Sequence, residues 1–315
     1  MGISQYLKVI GRGKVGARNL PRDQATDLMG QVLDGTASDL EVGAFCIAMR
    51  VKGETPEEMA GFLDAIEARL ALLSASDRPV VVLPSYNGAR RLPVLTPLLA
   101  QLLARKGLPV LVHGTATEDS RVTAQQVLAR LEHPAAAATG RLDNATVYLA
   151  STAQLHSGLQ RLLDVRRSLG LRNSAHSLVK LMNPVRGPAL VVGSYTHPEY
   201  AEAMVATHLL RGSTALLLRG TEGEPVADAR RTPRMDLVLG GELSCVQTAQ
   251  TGPLATLPEL PTQIDAASTA AFVDAVMRGE AAVPEPILLQ TEHIMRACKA
   301  LEAATDPASV RRLSP

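Results

Sequence analysis

Apolar residues recur at helical spacing through the first ~75 residues and in short unbroken runs after them, so the chain predicts two kinds of structure in sequence. Ser38-Asp39-Leu40-Glu41 has the form of a capping box, in which the Ser hydroxyl and the Glu carboxylate each satisfy an otherwise free backbone N–H. The helix it opens carries Val42, Phe45, Cys46 and Met49 on one face and stops at Lys52-Gly53. Thr55-Pro56-Glu57-Glu58 is a second capping box with Pro at the first helical position, and its helix is expected to run through Met59, Phe62, Leu63 and Ile66 to about Leu73. Asp23 to Leu33 and residues 3–10 complete the helical segment.

After Asp77 the pattern changes. Val80 to Leu83, Pro109 to His113, Thr146 to Ala150, Ala189 to Tyr195, Ala215 to Arg219 and Asp236 to Leu239 read as buried strands. Helices are expected at Leu95 to Lys106, Ser120 to Leu131, 198–210, 265–278 and 287–303, with loops at Thr221 to Thr232 and Thr251 to Pro261. Strands alternating with helices predict an α/β fold, with a mainly parallel sheet covered by helices on both faces.

Composition narrows the class. At 315 residues two domains are expected, and with aromatics at 3% and no Trp the cores must be aliphatic. Cys46, Cys245 and Cys298 are odd in number, far apart and without a CxxC or His/Cys cluster, so neither a disulfide framework nor a zinc site is expected. The N-terminus matches neither a signal peptide nor the myristoylation pattern, and the apolar stretch Leu92 to Ala104 is too short to span a bilayer. A cytoplasmic location is the expectation.

Net charge is +1, but it is unevenly spread. Residues 1–22 carry Lys8, Arg12, Lys14, Arg18 and Arg22 without an acid, and residues 159–192 carry six basic residues against Asp164 alone. Each segment is +5, which leaves −9 for the remainder. A polyanion responds to such local fields rather than to the total. Gly11-Arg12-Gly13-Lys14-Val15-Gly16 lacks the preceding strand and the Lys-Ser/Thr of a phosphate loop, and reads as a flexible basic connector.

Residues 38–45 (Ser-Asp-Leu-Glu-Val-Gly-Ala-Phe), Met49 to Thr55, Glu58, His113-Gly114 and the Asn183-Pro184 turn before Val191-Val192-Gly193 resemble the anthranilate and nucleoside phosphoribosyltransferases over most of the chain. The resemblance implies a small discontinuous helical domain (1–76, with 157–187 contributing) that makes a homodimer contact. It also implies an α/β domain (77–156 and 188–315) and a cleft between the two.

The enzymes' chemical motifs are altered. Their Gly-Thr-Gly-Gly-Asp-Gly loop, where glycine lets the backbone close on pyrophosphate, is replaced by Pro84-Ser85-Tyr86-Asn87-Gly88-Ala89. His113-Gly114-Thr115 is followed by Glu118 and Asp119, whose carboxylates would repel a pyrophosphate. The family's Mg²⁺-binding Asp-Glu pair is replaced by Glu222 and Glu224 in Arg219-Gly220-Thr221-Glu222-Gly223-Glu224-Pro225, which read as loop acids with at most vestigial metal affinity.

Tyr6 to Lys14, His113-Gly114-Thr115 and Arg219 to Glu224 resemble instead a divergent branch that binds DNA and RNA without strong sequence preference. The expectation is therefore a catalytically degenerate homodimer with no cofactor, binding nucleic acid through Lys8, Arg12, Lys14, Arg18, Arg166, Arg167 and Arg172. Ser85, Asn87, Gly88, His113, Gly114 and Thr115 would line a degenerate phosphoribosyl-pyrophosphate cleft. His156 and His176 lie near the basic stretch but read as structural, as does His113. Two other readings stay open: an active transferase using phosphoribosyl pyrophosphate and Mg²⁺, and a structural dimer whose basic surface contacts an acidic protein.

Overall fold

The computed structural model describes residues 2–254 and 257–305, so Ala255 and Thr256 of the expected Thr251 to Pro261 loop lie outside the described residues. The chain begins with α1 (Ser4–Ile10), α2 (Gly13–Gly16), α3 (Arg22–Asp34), α4 (Asp39–Lys52) and α5 (Pro56–Glu67). Both capping boxes form: Ser38 and Glu41 cap α4 reciprocally, and Thr55 and Glu58 do the same for α5. Helix α5 stops at Glu67, short of Leu73, which instead opens β1 (Leu73–Ala75). The glycine-rich basic segment is also more ordered than a flexible connector, because α2 occupies Gly13–Gly16 and the Arg18 amide donates to the Val9 carbonyl.

There follow β2 (Val80–Pro84), α6 (Thr96–Arg105), β3 (Val110–His113), α7 (Ala124–Leu128), β4 (Ala136–Ala137), β5 (Arg141–Leu142), β6 (Val147–Ala150), α8 (Thr152–Leu155), α9 (Ser157–Leu169) and α10 (Ala175–Leu181). Helix α7 is shorter than the expected Ser120 to Leu131. Its start is fixed at Thr123, whose hydroxyl accepts from the Gln126 amide, while Val122 pairs with Ala89 in an isolated bridge. The remaining elements are β7 (Val185–Arg186), β8 (Ala189–Tyr195), α11 (Pro198–Arg211), β9 (Ala215–Arg219), β10 (Met235–Leu239), β11 (Glu242–Gln247), α12 (Ala266–Arg278) and α13 (Glu285–Thr305).

The main sheet has the order β11-β10-β9-β8-β2-β3-β6-β4. From β9 to β4 neighbouring strands are parallel, while β10 and β11 add an antiparallel edge. Alternate residues of each central strand feed opposite faces, as the two-residue repeat requires. Val80 and Val82 of β2 join the core shared with the helical domain, and Val81 and Leu83 join the one under α6, α12 and α13. Strands β8 and β9 divide in the same way. This double burial is why they read as continuous apolar runs.

Helix α9 packs on α3, and α10 and α11 pack on α5, so later chain segments embrace the N-terminal helices. Arg211 of α11 pairs with both Asp64 and Glu67 of α5, and Arg22 reaches Asp64 at 2.6 Å. Between α4 and α5, the buried Lys52 Nζ lies 2.7 Å from Glu58, whose carboxylate also accepts the Leu20 and Thr55 amides at 2.9 Å each. The molecule is thus a small helical domain beside a larger α/β domain with a mainly parallel sheet. Among the described residues no helix is long and apolar enough to cross a membrane.

Candidate functional site

Strand β2 ends at Pro84, and the chain turns through Ser85, Tyr86, Asn87 and Gly88 before reaching α6. A carboxylate of the chain itself fills this turn. One oxygen of Glu224 accepts the amides of Asn87 at 2.9 Å and Gly88 at 2.7 Å. The other accepts the hydroxyls of Ser85 and, at 3.0 Å, of Thr96 on the first turn of α6. Glu224 is 1% exposed. Convergent backbone and hydroxyl donors make an anion nest, and here the anion is built in. Gly88 is required for it: its φ is +65°, and a Cβ would stand 2.7 Å from the Val122 carbonyl oxygen.

Two residues earlier the device repeats. Glu222 (φ +50°) and Gly223 (φ +87°) curl the chain so that the Glu222 carboxylate accepts the amides of Arg90, Arg91 and Leu92 at 3.2, 2.8 and 3.1 Å. A third carboxylate, Glu118, lies 2.7 Å from Arg166, 3.0 Å from Arg121 and 3.3 Å from Arg172. The Arg166 hydrogen bond, helped by Arg121, holds the Glu118 carboxyl down at about 2 against the opposing effect of burial. Glu222 and Glu224 are therefore not free loop acids. Glu118 does not repel its surroundings either, because three guanidiniums surround it.

These contacts decide the metal question on the donor set. The carboxylates of Glu222 and Glu224 face N–H and O–H donors, whose partial charges would repel a cation, so they do not fit a Mg²⁺ ion. Among the described residues no cluster of three or more His, Cys, Asp or Glu side chains is placed to hold a metal.

The other residues of the expected cleft hold loops together. His113 closes β3 fully buried, and burial lowers its imidazole to about 4, so it is neutral near pH 7. Gly114 has φ +145° and no room for a Cβ, which would meet the Ser85 carbonyl oxygen at 2.4 Å. The Thr115 hydroxyl accepts the Thr152 amide at 3.1 Å and anchors the start of α8. Tyr86 is buried with its hydroxyl donating to the His176 carbonyl at 2.9 Å. His156 caps α9 by accepting the Leu159 amide at 3.3 Å.

The seven basic candidates separate into two groups. Lys8, Arg12, Arg18 and Arg167 are exposed, and Arg12 Nε donates to the Lys8 carbonyl at 2.8 Å. Lys14 falls in α2, and its side chain lies outside what is described. Arg166 and Arg172, by contrast, are turned into the cleft wall. Besides Glu118, Arg166 reaches Thr117 at 3.1 Å and Arg172 reaches Asn87 Oδ1 at 2.9 Å. Both side chains are thus tied to the cleft wall while staying partly exposed, unlike the four exposed ones. Arg161 and Lys180, counted in the same basic segment, are likewise held by the Leu33 and Ser194 carbonyls.

Two features escaped the sequence reading. Leu40, Ala44, Ile47 and Val51 form an exposed apolar stripe along α4, with Leu40 at 84% exposure. Their spacing of four, three and four residues is the signal that could have found it. The second is a cavity of about 730 Å³ between α4, α5, α10 and α11, lined by Tyr86, His176, Lys180 and Ser194 among others. A larger opening of about 1250 Å³ lies outside it, past Arg91 and Arg219.

Residues 4–69 match the helical bundle domain of a glycosyl transferase family. The chain is 35% identical over 297 residues to YbiB of Escherichia coli, whose description is "uncharacterized", covering 92% of each protein. It is 29% identical over 246 residues to an anthranilate phosphoribosyltransferase of a Nocardioides species, covering 76% of this chain and 71% of that one. The structure of anthranilate phosphoribosyltransferase from Thermus thermophilus superposes with a TM-score of 0.68 at 19% identity, over 93% of this chain and 91% of that one. The Saccharomyces cerevisiae enzyme in complex with PRPP and Mg gives 0.68 at 14% identity, over 98% and 90%. At such identities the two structures speak for the fold alone.

Proposed function

We propose, from the premise that this chain belongs with Escherichia coli YbiB to the anthranilate phosphoribosyltransferase-like family, that it is a cytoplasmic homodimer that binds nucleic acid without sequence preference and has given up phosphoribosyl transfer. The observation that carries the reading is the pairing of two surfaces on the helical domain. Exposed Lys8, Arg12 and Arg18 lie on and just after α1, and α1 packs against α4, whose exposed apolar stripe suits a second copy of itself. A two-fold contact through α4 doubles the basic segment along one assembly, and exposed cations then meet phosphates rather than bases. Scarce aromatics, at 3%, leave little capacity for base stacking, which favours sequence tolerance.

The loss of catalysis rests on the filled nests. A pyrophosphate entering at Gly88 must displace a buried carboxylate that four donors already hold. Fluorescence anisotropy of labelled oligonucleotides tests the binding. Affinity that is alike for unrelated sequences and falls linearly in log affinity against log salt supports the reading; no binding at low salt overturns it.

The competing reading is an active transferase, favoured by relatives named anthranilate phosphoribosyltransferase. Calorimetry with phosphoribosyl pyrophosphate and Mg²⁺ separates the two. Micromolar binding would restore the transferase, and silence would leave the cleft as a closed structural element.

A further inference from the structure

The chain uses 26 arginines and only six lysines. Of the five lysines whose side chains are described, Lys8, Lys106 and Lys299 are exposed. Lys52 is buried but neutralised by Glu58 at 2.7 Å. Lys180 differs from all of these. It lies in the last turn of α10 and lines the cavity of about 730 Å³ between the domains. Its Nζ donates to the Ser194 carbonyl at 3.0 Å, stands 5.9 Å from the centre of the Tyr86 ring, and has no carboxylate at ion-pair distance among the described residues. Glu224 favours its charged form from farther off, but that carboxylate is already spent on four donors.

Arginine keeps its charge in any such place, whereas a lysine withdrawn from water can shed its proton. Burial lowers this ammonium to about 8, with Arg172 acting in the same direction. A second observation points to a ligand in the same space. His176 lines the cavity and is 4% exposed; one ring nitrogen is held by Asn173, while Nε2 has no hydrogen-bond partner.

We propose that Lys180 is a carbonyl-capturing amine, and that small aldehydes and 2-oxo acids entering this cavity form a reversible imine with its Nζ. The neutral amine adds its lone pair to the carbonyl carbon and the C=O π pair moves to oxygen, giving a carbinolamine. Protonated at that hydroxyl, the carbinolamine expels water as the C=N bond forms. Amine and carbonyl give imine and water, no oxidant or reductant is consumed, and hydrolysis reverses the step. The proton that nitrogen loses passes to solvent in the cavity, and His176, neutral because burial lowers it to about 4, adds no competing positive charge beside the amine. The capture needs neither a phosphate site nor a nucleic acid, so it stands apart from the binding function proposed above.

The test is reductive trapping on the intact protein. Glyoxylate is added with cyanoborohydride at pH 7, and peptide mapping follows carboxymethylation of each lysine over time. An amine titrating near 8 is about a tenth neutral at pH 7, against less than about a thousandth for an ordinary lysine. Lys180 should therefore be labelled on the order of a hundredfold faster than Lys106 and Lys299, with a rate that rises to a midpoint near pH 8. The variant K180R should lose that label and keep the slow ones. Labelling of Lys180 no faster than Lys106 and Lys299 in the wild-type chain would overturn the proposal, whether or not the variant folds.

Discussion

The Gly88 amide lies 2.7 Å from the Glu224 carboxylate, across 136 residues of chain. Removing that carboxylate leaves two amides and two hydroxyls facing an empty nest. Glu224→Ala should cost about 3–5 kcal/mol, the usual penalty for stripping one partner from a buried charged contact, measured by urea unfolding. Inorganic pyrophosphate should raise the melting temperature of this variant and leave that of the wild type unchanged. A variant as stable as wild type would show that the nest is not what holds the loops.

The α4 stripe predicts an assembly. Ile47→Glu combined with Val51→Glu places two charges on an exposed apolar face, at little cost to the monomer's fold. Light scattering should find the wild type dimeric and the double variant monomeric, with unchanged circular dichroism. A monomeric wild type would remove α4 as the contact.

For nucleic acid, the exposed cations are the ones to reverse. Glu substitutions at Lys8, Arg12, Arg18 and Arg167 should weaken binding uniformly across sequences. Each lost phosphate contact should flatten the log–log salt slope by roughly 0.9 for duplex DNA. Arg166→Glu would behave differently, because it sets two carboxylates side by side in the cleft wall and should unfold the protein before it reports on binding. Unaltered slopes in the folded quadruple variant would place the ligand elsewhere.

Acid should destabilise the protein in two windows. His113, His176 and His208 are lowered to about 4 by burial, below the unfolded value near 6.5. An imidazole depressed in the folded state contributes stability above the unfolded value and loses it as pH falls towards the folded one. Stability should therefore decline from about pH 6.5 down to 4, by several kcal/mol in total. Glu118, held at about 2, adds a lower window from about 4.5 down to 2. Urea midpoints measured from pH 8 to 3 check both, and a flat profile above pH 4.5 would contradict the histidine part.

Much of this architecture is legible in the sequence because it depends on local signals. The capping boxes at Ser38 and Thr55 fix helix starts to the residue, and the unbroken runs at Ala189 to Tyr195 and Ala215 to Arg219 give whole strands. Strand β11 is not among the expected strands although Gly240-Gly241, with φ of +60° and +81°, is a two-residue hairpin signal; its short, mixed and largely exposed run lacks the unbroken apolar pattern of the buried strands. The site was harder to read. The departures from the enzyme motifs are visible residue by residue, but nothing local says that Glu224 will seat on Gly88 or that Glu118 will gather Arg121, Arg166 and Arg172. Such pairings are set by tertiary closure, and a carboxylate looks the same in sequence whether it is solvated or buried.

An enzyme that relies on its substrate's phosphates to order its loops is stabilised in proportion to how much substrate surrounds it. Here the ordering anions are tethered at residues 222 and 224, so their effective concentration is fixed by the chain and independent of solution. The conformation of the 85–92 loop should thus be the same in a starved cell as in a growing one. A loop ordered by the chain's own carboxylates keeps a constitutive shape.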